Sequence, residues 1–184
     1  IFKDFQIIDN KLFWEKHNLE NHKKIQAYYI AIKDLLRFNL IVELSKLFED
    51  NFIVVGNKWK PHIKSSLKSN YNASYINSLY KGNICLDFGS KWGNNCLYPR
   101  SINIIESGGL LLQSKQSDTK EIFIKHDINT IFNNLDELSK KIKLLLNDNK
   151  EIKNLYDKQY NFFKNENLNY NTLKKFLLIS KQNN

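Results

Sequence analysis

Hydrophobic positions along the chain change their period several times, and each change marks an element. Between Asn21 and Phe48 the apolar residues Ile25, Tyr28, Tyr29, Ile32, Leu35, Leu36, Leu40, Leu44 and Leu47 recur at steps of three and four. That spacing lines one face of an α-helix, and it predicts one long helix or two broken near Asn39. Phe52-Ile53-Val54-Val55 then runs unbroken into Gly56, the mark of a strand buried on both faces. Residues 57–71 are polar, include Pro61 and read as loop. A short helix over Ala73–Tyr80 turns Tyr75, Ile76, Leu79 and Tyr80 inward.

The second buried strand is Ile84–Phe88, followed by the turn formers Gly89-Ser90-Lys91-Trp92-Gly93-Asn94-Asn95. Pro99 suits the first position of a helix, where its missing N–H costs nothing. That helix is predicted from Arg100 to about Ser107, capped by Gly108-Gly109, with a third strand at Leu110-Leu111-Leu112. A shorter fourth strand is expected at Thr130-Ile131-Phe132. Asn134 with Glu137 reads as a variant capping box, opening a helix with Leu135, Leu138, Ile142, Leu145 and Leu146 on one face. A further helix from Lys150 to about Lys164 is predicted to bury Ile152, Leu155, Tyr156, Tyr160 and Phe163, and a last one runs over Asn171–Ile179.

Helices alternating with fully apolar strands predict an α/β sandwich around a parallel sheet. In such sheets ligands bind outside the carboxyl ends of the strands. The loops that matter are therefore 56–60, 88–99 and 113–119.

Length and composition narrow this picture. With 184 residues the chain fits one domain, taken as 21–180, with 1–20 a connector and 181–184 a frayed tail. It begins Ile1-Phe2 and has no Met, so an upstream part is expected. No apolar run approaches the ~18 residues of a membrane span and no signal peptide is visible; a cytoplasmic, soluble location is expected. Cys85 and Cys96 form no Cys-x-x-Cys pair, and His17, His22, His62 and His126 lack metal-ligand spacing, so no metal or other cofactor is expected.

The net charge is +9, yet of 28 basic residues all but Arg37 and Arg100 are Lys. Base-reading proteins favour Arg for its bidentate fork, so the excess reads first as a solvated basic surface. Attraction to nucleotide-sugars, membrane headgroups or nucleic acid is the lesser reading.

Candidate chemistry concentrates in residues 83–113. A strand, a Gly/Asn-rich loop, Tyr98-Pro99-Arg100 and a helix would aim unpaired N–H groups at the ligand edge, where phosphate binds well. Arg100 adds a guanidinium suited to a diphosphate; pairing with a neighbouring carboxylate is the equal alternative. Arg100, a short helix, Gly108-Gly109 and an apolar strand together resemble the C-terminal domain of GT-B glycosyltransferases. Among these they resemble the group-1-like family that includes the spore-maturation CgeB-type proteins. Arg37 and Leu44 before Phe52–Gly56 and Trp59 resemble that family's entry to the domain. The stretch from Asp136-Glu137-Leu138 through Leu146-Asn147-Asp148 and Ile152 resembles its closing helices.

The resemblance implies a Rossmann-like three-layer α/β/α domain with a short parallel sheet and C-terminal helices, the C-terminal half of a GT-B fold. It implies metal-independent transfer of a sugar from a nucleotide-sugar donor. The acceptor, a glycan, lipid or protein, would be held by an N-terminal domain, with peripheral membrane association as a further possibility. By itself the chain would be an incomplete enzyme. Arg100 would stabilise the leaving group. Gly56, Lys58, Asp87, Ser90, Tyr98, Asn103, Glu106, Gly108 and Gly109 would form the donor site, with Trp59 and Trp92 available to stack.

Several of these residues have plainer alternatives: Lys58 as one exposed lysine among many, Asp87 as a structural acid, Tyr98 as packing, the two glycines as backbone geometry, the tryptophans as cover for a core edge. Family members often carry an acid three positions after the Arg, to bond the donor's ribose; here that position is Asn103, and Glu106 is the nearest carboxylate. Two other functions remain in view: a non-enzymatic α/β nucleotide-binding module, which Asn103 favours, and a basic nucleic-acid-binding domain, which the scarcity of Arg disfavours.

Overall fold

The computed structural model describes residues 19–70, 72–89, 99–116 and 119–166. The expected connector up to residue 18, the expected helix over Asn171–Ile179 and the tail lie outside the described residues, as do Ser90, Trp92, Cys96 and Tyr98. Helix α1 (Leu19–Phe48) passes through Asn39 without a break. A 3-10 turn, Glu49–Asn51, leads to β1 (Val54–Val55), which pairs in parallel with β2 (Ser66–Leu67). There follow α2 (Ala73–Tyr80), β3 (Ile84–Asp87), α3 (Pro99–Glu106) and β4 (Leu110–Ser114). A π-helical segment, Lys120–Ile124, precedes β5 (Ile131–Phe132), α4 (Leu135–Leu146) and α5 (Asn149–Glu166).

The most apolar run of the chain, Leu110-Leu111-Leu112, becomes the middle strand of a parallel sheet ordered β3-β4-β5. Successive side chains on a strand point to opposite faces, so the run feeds two cores. Leu110 and Leu112 pack with Leu44 and Phe48 of α1, Leu138, Ile142 and Leu145 of α4, and Leu155 of α5. Leu111 packs on the other side with Ile104 and Ile105 of α3, Phe123, Ile128 and Ile131. The result is the expected Rossmann-like α/β/α arrangement, with helices on both faces of a short parallel sheet.

Four expectations are corrected. The stretch 57–71 is not all loop, since it contains β2; and β1 joins β2 in a separate two-stranded sheet. So small a sheet covers one face only: Val54 is buried against Ile41 and Ile63, while Ile53 and Val55 are 58% and 41% exposed. The stripe on α1 is buried only in part, because Tyr28, Ile32 and Leu35 are exposed and the helix meets the core from Leu40 onward. Leu146 on α4 and Tyr160 on α5 are also exposed; α5 buries Gln159 in the turn where Tyr160 was expected to do so.

Gln159 is buried for a reason that side-chain periodicity does not carry. β5 begins opposite Gln113, two residues past Leu111, so the N–H and C=O of Leu111 face an edge with no strand. The Gln159 carboxamide takes the strand's place. Its Oε1 accepts from Leu111 N at 3.1 Å, and its Nε2 donates to Leu111 O at 2.8 Å and to Thr130 Oγ1 at 2.9 Å. Helix α4 starts as its sequence predicts: Asn134 Oδ1 accepts from Glu137 N at 2.9 Å. The return bond reaches one residue further back, from Asn133 N to Glu137 Oε2 at 3.0 Å.

Replacing Gln159 by Leu removes the partner of two buried backbone groups, each costly when left unpaired. The Gln159→Leu variant is expected to lose roughly 2–4 kcal/mol of stability, read from urea unfolding midpoints. A loss under about 0.5 kcal/mol would mean that α5 does not depend on this bond.

Candidate functional site

The carboxyl end of β3 is a buried acid. Asp87 is wholly inaccessible to water, and its two oxygens are fully engaged. Oδ1 accepts from Gly89 N at 2.9 Å and from Arg100 Nη2 at 2.6 Å, and Oδ2 accepts from Ser101 Oγ at 2.7 Å. Burial alone would push the carboxyl's pKa up. The hydrogen bond and charge of Arg100, the Ser101 hydroxyl and the Gly89 amide outweigh it and hold the group below the usual carboxylate range.

These bonds fix the first turn of α3 against the end of β3. Pro99 opens the helix, Ser101, Ile104 and Ile105 turn into the core, and Arg100 stays 43% exposed at the edge. The alternative in which Arg100 pairs with a neighbouring carboxylate is thus the observed geometry, and Asp87 is its partner. The pairing does not bury the guanidinium; it holds it where the helix N-terminus meets solvent. Arg37 approaches from the opposite face of the sheet, on α1, with its guanidinium carbon 5.6 Å from the centre of the Phe88 ring. Burial, and next the charge of Arg100, lower the Arg37 pKa, while Asp87 and Asp34 oppose the shift. The chain's only two arginines therefore flank one sheet edge.

Strand β4 adds two amides to this edge. Gln113 pairs in register with Asp87 and so points to the same face, toward α3. Gln116 follows, held by a turn in which its N–H donates to Thr119 Oγ1 at 2.8 Å and its carbonyl accepts from the same hydroxyl at 2.9 Å. The Gln116 carboxamide lies against Gly89: a Cβ on Gly89 would sit 1.6 Å from Gln116 Nε2, and Gly89 has φ +73°. The left-handed φ is what favours glycine here; the Gln116 carboxamide end could swing aside for a side chain.

The other expected site residues fall elsewhere. Gly56 and Lys58 lie past the carboxyl end of β1, on the smaller sheet; Gly56 N donates to Leu67 O at 2.9 Å, and Lys58 takes a left-handed turn conformation at φ +71°. No hydrogen bond or ion pair joins them to Asp87 or Arg100 among the described residues. Phe88, which packs against the Ile41, Val54 and Ile63 cluster, connects the two regions. Trp59 stacks on Phe38 of α1 at 5.5 Å between ring centres, covering a core edge.

Asn103 and Glu106 line a groove of about 470 Å³ between α2 and α3, with Ala73, Asn77, Ser78, Lys81 and Ser107. Glu106, at the far end of α3, is not brought to the Arg100 edge. Gly108 and Gly109 lie at the amino end of β4, again opposite that edge. Gly108 supplies the left-handed cap at φ +88°, and a Cβ on Gly109 would meet Tyr80 O at 2.8 Å. Backbone geometry accounts for both.

Sequence reasoning did not single out Ser101, Gln113 and Gln116, and met Arg37 only as one of two arginines and in a family resemblance, never as a site residue. Gln113 had one readable signal, as the first polar residue after three leucines in a buried strand. Cys85 is half-buried, and desolvation pushes its thiol up to about 12, which leaves it protonated at neutral pH. Among the described residues no three His, Cys, Asp or Glu side chains gather as a metal site requires, and no helix is long and apolar enough to cross a membrane.

A short parallel sheet with helices on both faces, whose carboxyl edge carries a helix N-terminus and two guanidiniums, defines a Rossmann-like domain. Sequence comparison gives the family: a glycosyl transferase-like family matches residues 37–177, and the chain belongs to it. No curated protein and no solved structure matches the chain.

The Asp87 network carries a pH signature. Its folded pKa lies below the unfolded value of about 3.9, so its stabilisation is complete above that value and is lost as pH falls through the folded one. Asp87→Asn is expected to cost about 1–3 kcal/mol at neutral pH and to flatten the fall of stability below about pH 4. Unfolding midpoints from pH 7 to pH 2.5 test this; parallel curves for both proteins would remove the assignment.

Proposed function

We propose that the chain is the donor-binding half of a two-domain glycosyltransferase, with the carboxyl edge of β3 and β4 holding the diphosphate of a nucleotide-sugar. The observation that carries this reading is the meeting of the chain's only two arginines at one sheet edge, beside the N-terminus of α3. Family membership supports glycosyl transfer as the chemistry. The CgeB-type branch of the family remains our reading of the motifs.

Transfer breaks the bond between the sugar's anomeric carbon and the β-phosphate oxygen, and negative charge grows on the departing diphosphate. Arg100 in the first turn of α3, the backbone amides of that turn and Arg37 across the edge would stabilise this charge as it forms. Two like charges held close together gain most from an anion that sits between them. With charge stabilisation supplied by guanidiniums and helix, the reaction proceeds in this proposal without a metal. Asp87 serves as a positioning residue, keeping Arg100 aimed at the ligand. The acceptor, a glycan, lipid or protein, would be bound by a second half of the molecule, with the reaction in the cleft between them.

Calorimetric titration with UDP, GDP and a panel of nucleotide-sugars tests the reading. One nucleoside diphosphate is expected to bind selectively, with affinity falling at least tenfold in Arg100→Lys, which keeps the charge but loses the planar fork. Arg37→Ala is expected to weaken binding by a similar factor without disturbing Asp87. A folded wild-type chain that binds none of these ligands would sink the proposal and favour a module that has lost its nucleotide.

A further inference from the structure

Seven polar residues are buried among the described residues: Asp87, Ser101, Gln113, Gln116, Thr119, Thr130 and Gln159. Five have every buried polar atom bonded. Asp87 and Ser101 bond each other, Thr119 closes the Gln116 turn, and Thr130 and Gln159 complete the open edge of β4. The exceptions are Gln113, whose Nε2 and Oε1 both lack a partner, and Gln116, whose Oε1 does. Both lie at the carboxyl edge of β4, beside the Asp87–Arg100 pair. Among the described residues every other buried polar side chain is bonded, and these enclosed, unbonded atoms lie at the edge where the donor of the proposed reading would sit.

The chemistry of the open groups says what they fit. A carboxamide offers two donors and an acceptor in one plane. A phosphate, which only accepts, could take a bond from Nε2 but would leave Oε1 without a partner. A hydroxyl both donates and accepts, so a ring bearing neighbouring hydroxyls can use both ends of the amide. Position narrows this further. Gln113 is one strand from Asp87, about 4.8 Å across the sheet, so it reaches the unit bonded directly to a diphosphate held by Arg100. The base of the nucleotide lies one ring beyond.

We propose that Gln113 is a specificity-determining residue whose buried carboxamide hydrogen-bonds the hydroxyls of the sugar ring attached to the diphosphate. This rests on the donor-site reading above. Either the transferred sugar or the ribose presents that chemistry, and the measurement separates them.

The test compares the wild-type chain with Gln113→Leu, which keeps the volume and removes the amide, and with Gln113→Met as a second apolar replacement. Each is titrated with UDP against UDP-glucose and with GDP against GDP-mannose, and its thermal midpoint is recorded. An amide kept for a ligand burdens the free protein, so both variants should melt about 2–4 °C higher than wild type. Loss of roughly tenfold for the nucleotide-sugar, with the bare diphosphate unchanged, assigns Gln113 to the transferred sugar. Equal loss for both assigns it to the ribose. Unchanged affinity for every ligand, or a lower midpoint in both variants, overturns the inference; in the second case the amide is a structural group. If wild type binds none of the four, the donor-site reading falls first and this inference falls with it.

Discussion

A carboxylate with no access to water is the constraint around which the carboxyl edge of this domain's main sheet is built. An isolated ionised acid in a protein interior is prohibitive unless it is paired and hydrogen-bonded. Asp87 meets that demand with a guanidinium, a hydroxyl and a backbone amide, and each partner has a structural consequence. Ser101 and Arg100 pin the first turn of α3 to the end of β3. The Gly89 amide closes a turn back onto Asp87, and the Gln116 carboxamide fills the space that a side chain on Gly89 would need. One buried charge thus fixes where the helix begins, where its arginine points and how the ends of β3 and β4 meet. Position and chemistry are set by the same bonds.

The elements of the main sheet were legible in the sequence because their apolar runs are short, unbroken and bounded by clear caps: Ile84–Asp87, Leu110–Ser114, Pro99 before α3, Gly108 after it, Asn134 before α4. β2 was not legible, since Ser66–Leu67 is a two-residue strand whose pairing with Val54–Val55 is a tertiary fact. Nor was the burial of Gln159, which answers a missing strand partner and not a helical period. The site was half legible. Asp87 and Arg100 stood in the loop region that strand order singles out, yet their mutual bond spans thirteen positions and no spacing rule reports it. Gln113 and Gln116 were hidden because polar residues at a strand end read as the start of a loop; only burial distinguishes them.

Satisfied and unsatisfied polar groups divide along a meaningful line. Gln159, Thr130 and Thr119 are polar residues that the fold itself uses: Gln159 closes the Leu111 backbone groups that short β5 leaves open, Thr130 accepts from the Gln159 amide, and Thr119 closes the Gln116 turn. Gln113 performs no such service. An unbonded buried amide costs about 1–3 kcal/mol, a large share of the 5–15 kcal/mol that separates a folded domain from its unfolded chain. Local inconsistency of this kind is where sequence and fold disagree, and in natural proteins such places gather at functional sites.

Helix α3 explains why that inconsistency sits on a strand. At 1.5 Å per residue its eight residues span about 12 Å, and Arg100, Asn103 and Glu106 follow one another along the helix. Only the first is at the carboxyl edge; Asn103 and Glu106 both line the groove toward α2. Where family members often place an acid, this chain has Asn103, and Glu106 cannot compensate from the far end without moving the whole helix. Such a shift would tear Ser101 and Arg100 from Asp87 and pull Ile104 and Ile105 from the core. On the proposed donor-site reading, recognition of a neutral ring would come from another element at the same edge. β4 is the neighbour in register, and its first polar side chain is Gln113.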